Sequence, residues 1–482
     1  MVKPTSSPPI IGKLHTFPTH EVKQVRERLV GWYDDNKRQL PWRTIAATEP
    51  DRNIRAYGVW VSEIMLQQTQ VNTVKSYFEK WMCKWPTVSD LAKATLEEVN
   101  QMWAGLGYYS RARRLHEGAI KIVQELDGEF PDDRDSLMKQ LPGVGRYSGS
   151  AVASIALGHC VGVVDGNVNR VLARVKGVGA DISNQSTSEH FWTLADQLVD
   201  PDRPGDFNQA MMELGATVCT PKTPNCESCP LRPHCVAFHR NSAQKRSSIA
   251  THFKQSDKKA SQESTNIPDL ECLPTCDFCL RKEDWDESLG VLNYPRKAQK
   301  TKSREEVCAV VIMNCENGKM FLVQRPKAGL LANLWEFPSI PLVAGDKTSR
   351  KEEERVVRED LKEKYGLTST QTDSITYSAD VVHIFSHIHQ TYRVYQVSLA
   401  DSKGLTWPDR YQGSQWMDKT EFLASATSTA MKKVLKAADP SEQNDKGKKK
   451  KAESRDSPLE TKKQKTISQF FSASGCTNWD EV

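Results

Sequence analysis

From Glu21 to about Arg240 apolar residues recur every three or four positions. In VWVSEIMLQQTQV and the three residues after it, Val61, Ile64, Met65, Val71 and Val74 form one helical stripe, with Gln67 and Gln70 on another face. No period-two run of strand length competes, and signals at Pro86-Thr87, Asp127-Gly128 and Pro131-Asp132 cut the region into short helices. The pattern predicts an all-α domain over 21–240, preceded by a flexible N-terminal segment, 1–20. Residues 241–303 turn to Ser, Lys, Gln and Asp, with too few apolar side chains to order a core alone, so a connector is expected there. At Val307 the period changes. VCAVVIM and KMFLVQR flank Asn317-Gly318, a hairpin-turn pair, and TYRVYQVSL follows near Thr391. With helical stretches at Glu352 to Lys364 and near Thr427 to Ala438, residues 304–438 read as an α+β domain. The lysine-rich residues 439–482 read as a disordered basic tail.

At 482 residues the chain exceeds one ordinary core, and its net charge of +5 permits a nucleic-acid partner without establishing one. No apolar run approaches the roughly 18 to 20 residues needed to cross a bilayer, so a soluble protein with no membrane contact is expected. The N-terminal stretch lacks a secretory core and the arginines of a good mitochondrial presequence, which leaves a mitochondrial form open. Lys448 to Lys451 and Lys462, Lys463 and Lys465 suit either a solvating tail or a nuclear import signal.

The 12 cysteines are grouped, which favours metal ligation over disulfides. Cys219, Cys226, Cys229 and Cys235 place four thiolates within seventeen residues, and that spacing suits an iron-sulfur cluster or one tetrahedral zinc. Cys272, Cys276 and Cys279 form a triad inside the connector that would need a fourth ligand to close a zinc site; chance clustering is the even alternative.

LPGVG at Leu141 to Gly145 has the form of a helix-hairpin-helix turn, in which Gly143 and Gly145 expose backbone N–H groups suited to a DNA phosphate. Asp165 stands just before a predicted helix in GVVDGNVNRVLARV, where a simple N-cap is the bland reading. Glu63 lies among Trp60, Ile64, Met65 and Leu66, where partial desolvation would raise its pKa; an exposed glutamate is the alternative.

The order of hairpin, Asp165 and cysteine quartet, with LPWR, VSEIMLQQTQV, MWAGLGYYSRARRLH and FNQAMMELGA, resembles the MutY family of adenine DNA glycosylases within the endonuclease III superfamily, particularly its vertebrate members. The resemblance implies a monofunctional glycosylase that flips and removes adenine opposite 8-oxoguanine or G. It implies Glu63 as the acid that protonates adenine N7 and Asp165 as the carboxylate that stabilises or traps the oxocarbenium ion, with Asn167 orienting water or Asp165. Bifunctional relatives carry a lysine where this chain has Tyr147, whose hydroxyl is expected to hydrogen-bond Asp165. Gln68 and Thr69 would contact bases near the lesion, Leu106 and Tyr108 would wedge or stack there, and Arg111, Arg113 and Arg114 would pair with phosphates. A 4Fe-4S cluster on the quartet is implied, as is zinc on the connector triad with His15 as the fourth ligand.

GLLANLWEFPSI resembles the stretch before the Nudix metal box, but Arg358-Glu359-Asp360 to Tyr365-Gly366 is out of register with the box, so the fold is expected without metal-dependent pyrophosphate cleavage. In the family this domain reads 8-oxoguanine, and its loop matches Phe385, Ser386 and His387, with Ser386 the direct contact. Gln464, Ile467, Phe470 and Phe471 have the form of a peptide that binds the sliding clamp PCNA. The family also implies a monomer and, as further partners, a checkpoint clamp and mismatch-repair proteins. The competing readings are a bifunctional glycosylase-lyase, a non-catalytic clamp-associated DNA-binding protein and a Nudix hydrolase.

Overall fold

A computed structural model describes residues 12–243, 276–296, 303–342, 349–385, 387–400 and 404–439. The chain divides into two compact units: residues 1–68, 87–89 and 118–300 form the first, and 69–86, 90–117 and 301–482 the second. The helical region 21–240 is therefore shared between them, a division that hydrophobic period does not foresee.

The first unit is helical. Helix α1 (Thr19–Asn36) and α2 (Pro41–Thr48) lead to α3 (Arg52–Leu66), which starts where the Asp51 carboxylate accepts from the N–H groups of Asn53 and Ile54. Residues Ala56 to Met65 of α3 are buried all round, so the helix runs through the interior and carries Glu63 with it. The predicted hairpin is present. Helix α4 (Arg134–Gln140) and α5 (Arg146–Ala151) meet through a turn in which Gly143 has φ 78°, a conformation glycine adopts without strain. Helix α6 (Gly166–Val175), α7 (Gln185–Leu198) and α8 (Pro204–Thr217) pack with α1 around one core. A side chain at Gly215 on α8 would stand 2.6 Å from Asn167 Cβ, so glycine there lets α8 press against the start of α6, where Asp165 sits.

Two expectations need correction. The segment before residue 20 is packed from Gly12 on, with His15 fully buried and Phe17 in the core. Residues 276–296 of the expected connector also enter this core through Phe278, Leu280, Val291 and Tyr294. Two large aromatics supply enough apolar area to anchor a short segment, which an average over 241–303 hides.

The second unit contains a seven-stranded sheet. Strands β1 (Arg304–Cys315) and β2 (Met320–Gln324) form the expected hairpin, with Gly318 at φ 77°. β3 (Trp335–Glu336) and β4 (Ser339–Leu342) follow, then β5 (Thr376–Ile384), β6 (Ile388–Leu399) and β7 (Gly413–Met417). The order is β3-β2-β1-β6-β5, with β4 on β1 and β7 on β2, and β1 runs parallel to β6 from Arg304↔Ile388 to Cys315↔Leu399. Along β1, Cys308, Val310 and Ile312 face one core while Ala309, Val311 and Met313 face another, which explains the unbroken apolar run. Helix α9 (Arg350–Tyr365) covers one face; α10 (Lys419–Ala424) and α11 (Thr429–Ala438) cover the other. Preceding this domain in sequence, α12 (Val71–Lys84) and α13 (Leu96–Trp103) belong to the same unit, as does the start of α14 (Ser110–Glu125).

Candidate active site and metal centres

Glu63 is 4% exposed, and burial pushes its carboxyl up to about 7. A hydrogen bond from the Tyr147 hydroxyl to Glu63 Oε2 works in the opposite direction, Asp165 raises the pKa further and Arg43 lowers it. Burial lifts the Tyr147 phenol well above its ordinary value, and the neighbouring carboxylates add to this, so Tyr147 is a neutral donor. Its oxygen also lies 3.8 Å from Met212 Sδ.

The expected bond from Tyr147 to Asp165 is thus corrected to Tyr147–Glu63. Asp165 spends both oxygens locally: Oδ1 accepts from the backbone N–H groups of Asn167 at 2.8 Å and Val168 at 2.7 Å, and Oδ2 accepts from Asn167 Nδ2 at 2.8 Å. Asp165 caps α6 and also faces Glu63 electrostatically, so the cap and the acid pair are one arrangement. Burial raises its pKa, while the cap bonds pull it down. Asn167 is held in turn by Arg170, whose guanidinium donates to Asn167 Oδ1 at 2.8 Å.

Sequence reasoning missed a third acid. Glu213 on α8 is buried and accepts from Arg38 Nε at 2.7 Å and Arg43 Nη2 at 2.9 Å. Burial alone would raise its carboxyl, but the bonds from Arg38 and Arg43 outweigh that and hold it at about 2. LPWR and FNQAMMELGA contain Arg43 and Glu213, but the two are 170 positions apart and only folding pairs them.

Of the DNA-facing candidates in the hairpin, Gly143 and Gly145 are exposed, and a side chain at Gly145 would meet open space. Gln68 is exposed at φ 57°, and Thr69 accepts from Arg111 at 3.4 Å. Tyr108 is 49% exposed at φ 48°. Leu106 and Arg111 need correction. Leu106 is buried at 6%, packed into the core and turned from the surface a wedge requires. Arg111 is 9% exposed and donates to the carbonyls of Leu106 at 3.2 Å and Gly107 at 3.1 Å, so it braces the loop from within. Phe385 is half-buried and His387 exposed at the turn between β5 and β6. Ser386, Cys272 and the clamp-peptide residues Gln464, Ile467, Phe470 and Phe471 lie outside the described residues.

Cys219, Cys226, Cys229 and Cys235 line one shared apolar pocket, together with Arg174, Leu214 and Val291. Arg174 donates to Cys219 Sγ at 3.3 Å and to the Thr220 carbonyl at 2.8 Å. One tetrahedral zinc would draw its sulfurs to within about 4 Å of each other, given metal–sulfur bonds of about 2.3 Å. Among the described residues, the group whose ligand atoms all converge within 4.8 Å is His15, Cys276 and Cys279, not the quartet. The quartet's sulfurs do not converge that closely, which suits a multi-iron cluster better than one zinc, and the His15 group fits a single ion. His15 Nδ1 pairs with the Lys176 carbonyl at 2.8 Å, which leaves Nε2, 3.3 Å from Cys279 Sγ, as the ligand atom.

On α9 the acids are engaged otherwise. Glu352 and Glu359 pair with Arg355, Asp360 with Lys364, and the buried Glu353 with Arg393. No carboxylate group of this domain converges as metal ligands would, among the described residues.

The profile of the HhH-GPD superfamily of base excision DNA repair proteins matches residues 61–197, and that of the NUDIX domain matches residues 308–437. The chain is 48% identical over 436 residues to the adenine DNA glycosylase of Homo sapiens, covering 88% of this chain and 76% of the relative. It is 46% identical over 436 residues to the adenine DNA glycosylase of Mus musculus, covering 88% and 80%.

Proposed function

The chain belongs to the adenine DNA glycosylase family and is a DNA N-glycosylase of base excision repair, and we propose that it removes adenine paired with 8-oxoguanine or guanine and leaves the strand uncut. The observation that carries this reading is a buried Glu63 whose carboxyl sits near 7 beside Tyr147. A group with that pKa is about half protonated at neutral pH and gives its proton up readily. With adenine flipped out of the duplex, Glu63 donates its proton to N7, the C1′–N9 electron pair leaves with the base, and water adds to the C1′ cation and gives up a proton that restores the acid form of Glu63. Asp165, fixed by the α6 N-terminus and Asn167, stabilises that cation or traps it transiently. Tyr147 offers no amine for a Schiff base, which supports base excision without strand cleavage.

The cysteine quartet would hold a 4Fe-4S cluster, and His15, Cys276 and Cys279, with Cys272, would hold zinc. The zinc would join segments far apart in sequence, and the cluster would close the short loops between Cys219 and Cys235. The C-terminal domain would read the oxidised base through the turn at Phe385, Ser386 and His387, and the tail would engage PCNA. The lysine clusters support nuclear import, with a mitochondrial form open. Purified protein on duplexes with A opposite 8-oxoguanine, with and without alkali, tests the reading: adenine release with strand breaks confined to alkali supports it. Breaks without alkali would establish the bifunctional alternative.

A further inference from the structure

The loop 104–109 carries the exposed Tyr108, and hydrogen bonds brace it from within. Tyr77 donates to the Ala104 carbonyl at 2.7 Å, Trp103 Nε1 to the Gly107 carbonyl at 2.9 Å, and Arg111 to the carbonyls of Leu106 and Gly107. Further contacts on both sides of this loop come from the C-terminal domain. Before it, Glu97 in the first turn of α13 accepts from the Ala426 backbone N–H at 3.1 Å. After it, the Tyr109 hydroxyl reaches the Thr427 carbonyl at 3.4 Å, and Arg113 donates to the Lys327 carbonyl at 3.0 Å. Tyr109 is 6% and Thr427 1% exposed, so one of these contacts is sealed from water.

The stretch Ser425 to Ser428 that receives two of these bonds is bound rigidly to the sheet. The Ala426 carbonyl accepts from Trp335 N–H of β3 at 2.9 Å, and Ser428 caps α11 by accepting from the Met431 N–H. Met431 and Val434 of α11 share a core with Val381 of β5 and Tyr392 of β6, the two strands that lead into and out of the turn at Phe385 and His387. Packed side chains and backbone bonds therefore run without a break from that turn to the residue next to Tyr108.

We propose that Glu97 and Tyr109 are specificity-determining positioning residues through which the C-terminal domain sets the loop that carries Tyr108. The proposal rests on the reading that this domain recognises the oxidised base. Neither residue touches the reacting atoms. Their effect is confined to how well Tyr108 is placed when the partner base is 8-oxoguanine, and guanine, which the domain does not grip, gains little from it.

The test compares full-length Glu97→Ala, Tyr109→Phe and the double variant with the unmodified protein, in single-turnover adenine release opposite 8-oxoguanine and opposite guanine. A net hydrogen bond contributes about 0.5–1.5 kcal/mol, so each single variant should lose about two- to tenfold opposite 8-oxoguanine and under twofold opposite guanine. Glu97→Gln, whose amide oxygen still accepts from Ala426, should restore the preference. Fluorescence of 2-aminopurine placed beside the 8-oxoguanine should report altered stacking in the impaired variants and an unaltered signal in Glu97→Gln. Equal losses on both substrates, or an unchanged preference in the double variant, would overturn the proposal. An unmodified protein with no preference between the substrates would instead overturn the underlying reading of the C-terminal domain.

Discussion

Two sets of carboxylates on helices of this protein meet opposite fates. Glu63 and Asp165 in the first unit are withdrawn from water, and burial raises both. On α9 in the second unit, Glu352 and Glu359 are exposed and pair with Arg355, Asp360 pairs with Lys364, and the buried Glu353 pairs with Arg393. The residue types are alike, and the chemistry differs because desolvation favours the protonated form of Glu63, whereas the bonds from Arg355 lower the carboxyl of Glu352. Glu213 shows that burial alone does not decide: equally buried, it is held at about 2 by two arginines. What makes Glu63 an acid is burial with a neutral phenol as its direct partner.

The largest expected effect is at Glu63. Glu63→Gln should slow adenine release by about 10²–10⁴ and leave duplex affinity intact, as measured by single-turnover kinetics and titration binding. If the rate is unchanged, the contrast between the two regions has no catalytic meaning. Asp165→Asn should fall in the same assay with little change in thermal stability, because asparagine caps a helix about as well as aspartate. Glu213→Gln tests the inverse case. It leaves Arg38 and Arg43 without their shared carboxylate and should cost about 3 kcal/mol in denaturant unfolding. The group is depressed, so its contribution is present above its unfolded value near 4.5 and is lost as pH falls toward about 2; the variant should lack that acid limb. The smallest effect is at the surface: Glu359→Gln should change stability by about 1 kcal/mol or less and adenine release not measurably. A divalent-metal-dependent loss of nucleotide hydrolysis in that variant would reinstate the Nudix hydrolase reading.

Much of this was legible before folding was considered. The hairpin turn, the β1–β2 reversal at Asn317-Gly318 and the helices near Glu352 and Thr427 follow from short-range signals, and they stand within a few residues of their expected places. Glu63 was marked by its apolar neighbours and by the family pattern. Its partner was not: Tyr147 is 84 positions away, and the choice between Glu63 and Asp165 depends on Asp165 having spent its oxygens on its own helix. The Arg38–Arg43–Glu213 group lacks any local signature for the same reason. Leu106 and Arg111 were misplaced because a Gly-rich loop with φ above zero at Gly105, Gly107 and Tyr108 turns adjacent residues to opposite sides, which no linear spacing records. Residues 12–20 and 276–296 were read as loose because composition averages over Phe17, Phe278 and Tyr294, the side chains that seat them.

The central claim is that burial keeps Glu63 protonated near neutrality and that Tyr147 moderates it. The direct measurement is the single-turnover rate of adenine release from about pH 5 to about pH 9 for the unmodified protein and for Tyr147→Phe. The rate requires Glu63 protonated, so it should fall as pH rises through about 7 in the unmodified protein. Removing the phenol takes away a bond that favours the ionised carboxylate, so the falling limb should move to higher pH in Tyr147→Phe. A falling limb that stays in place in Tyr147→Phe, or a rate with no dependence on pH in this range, would contradict the account.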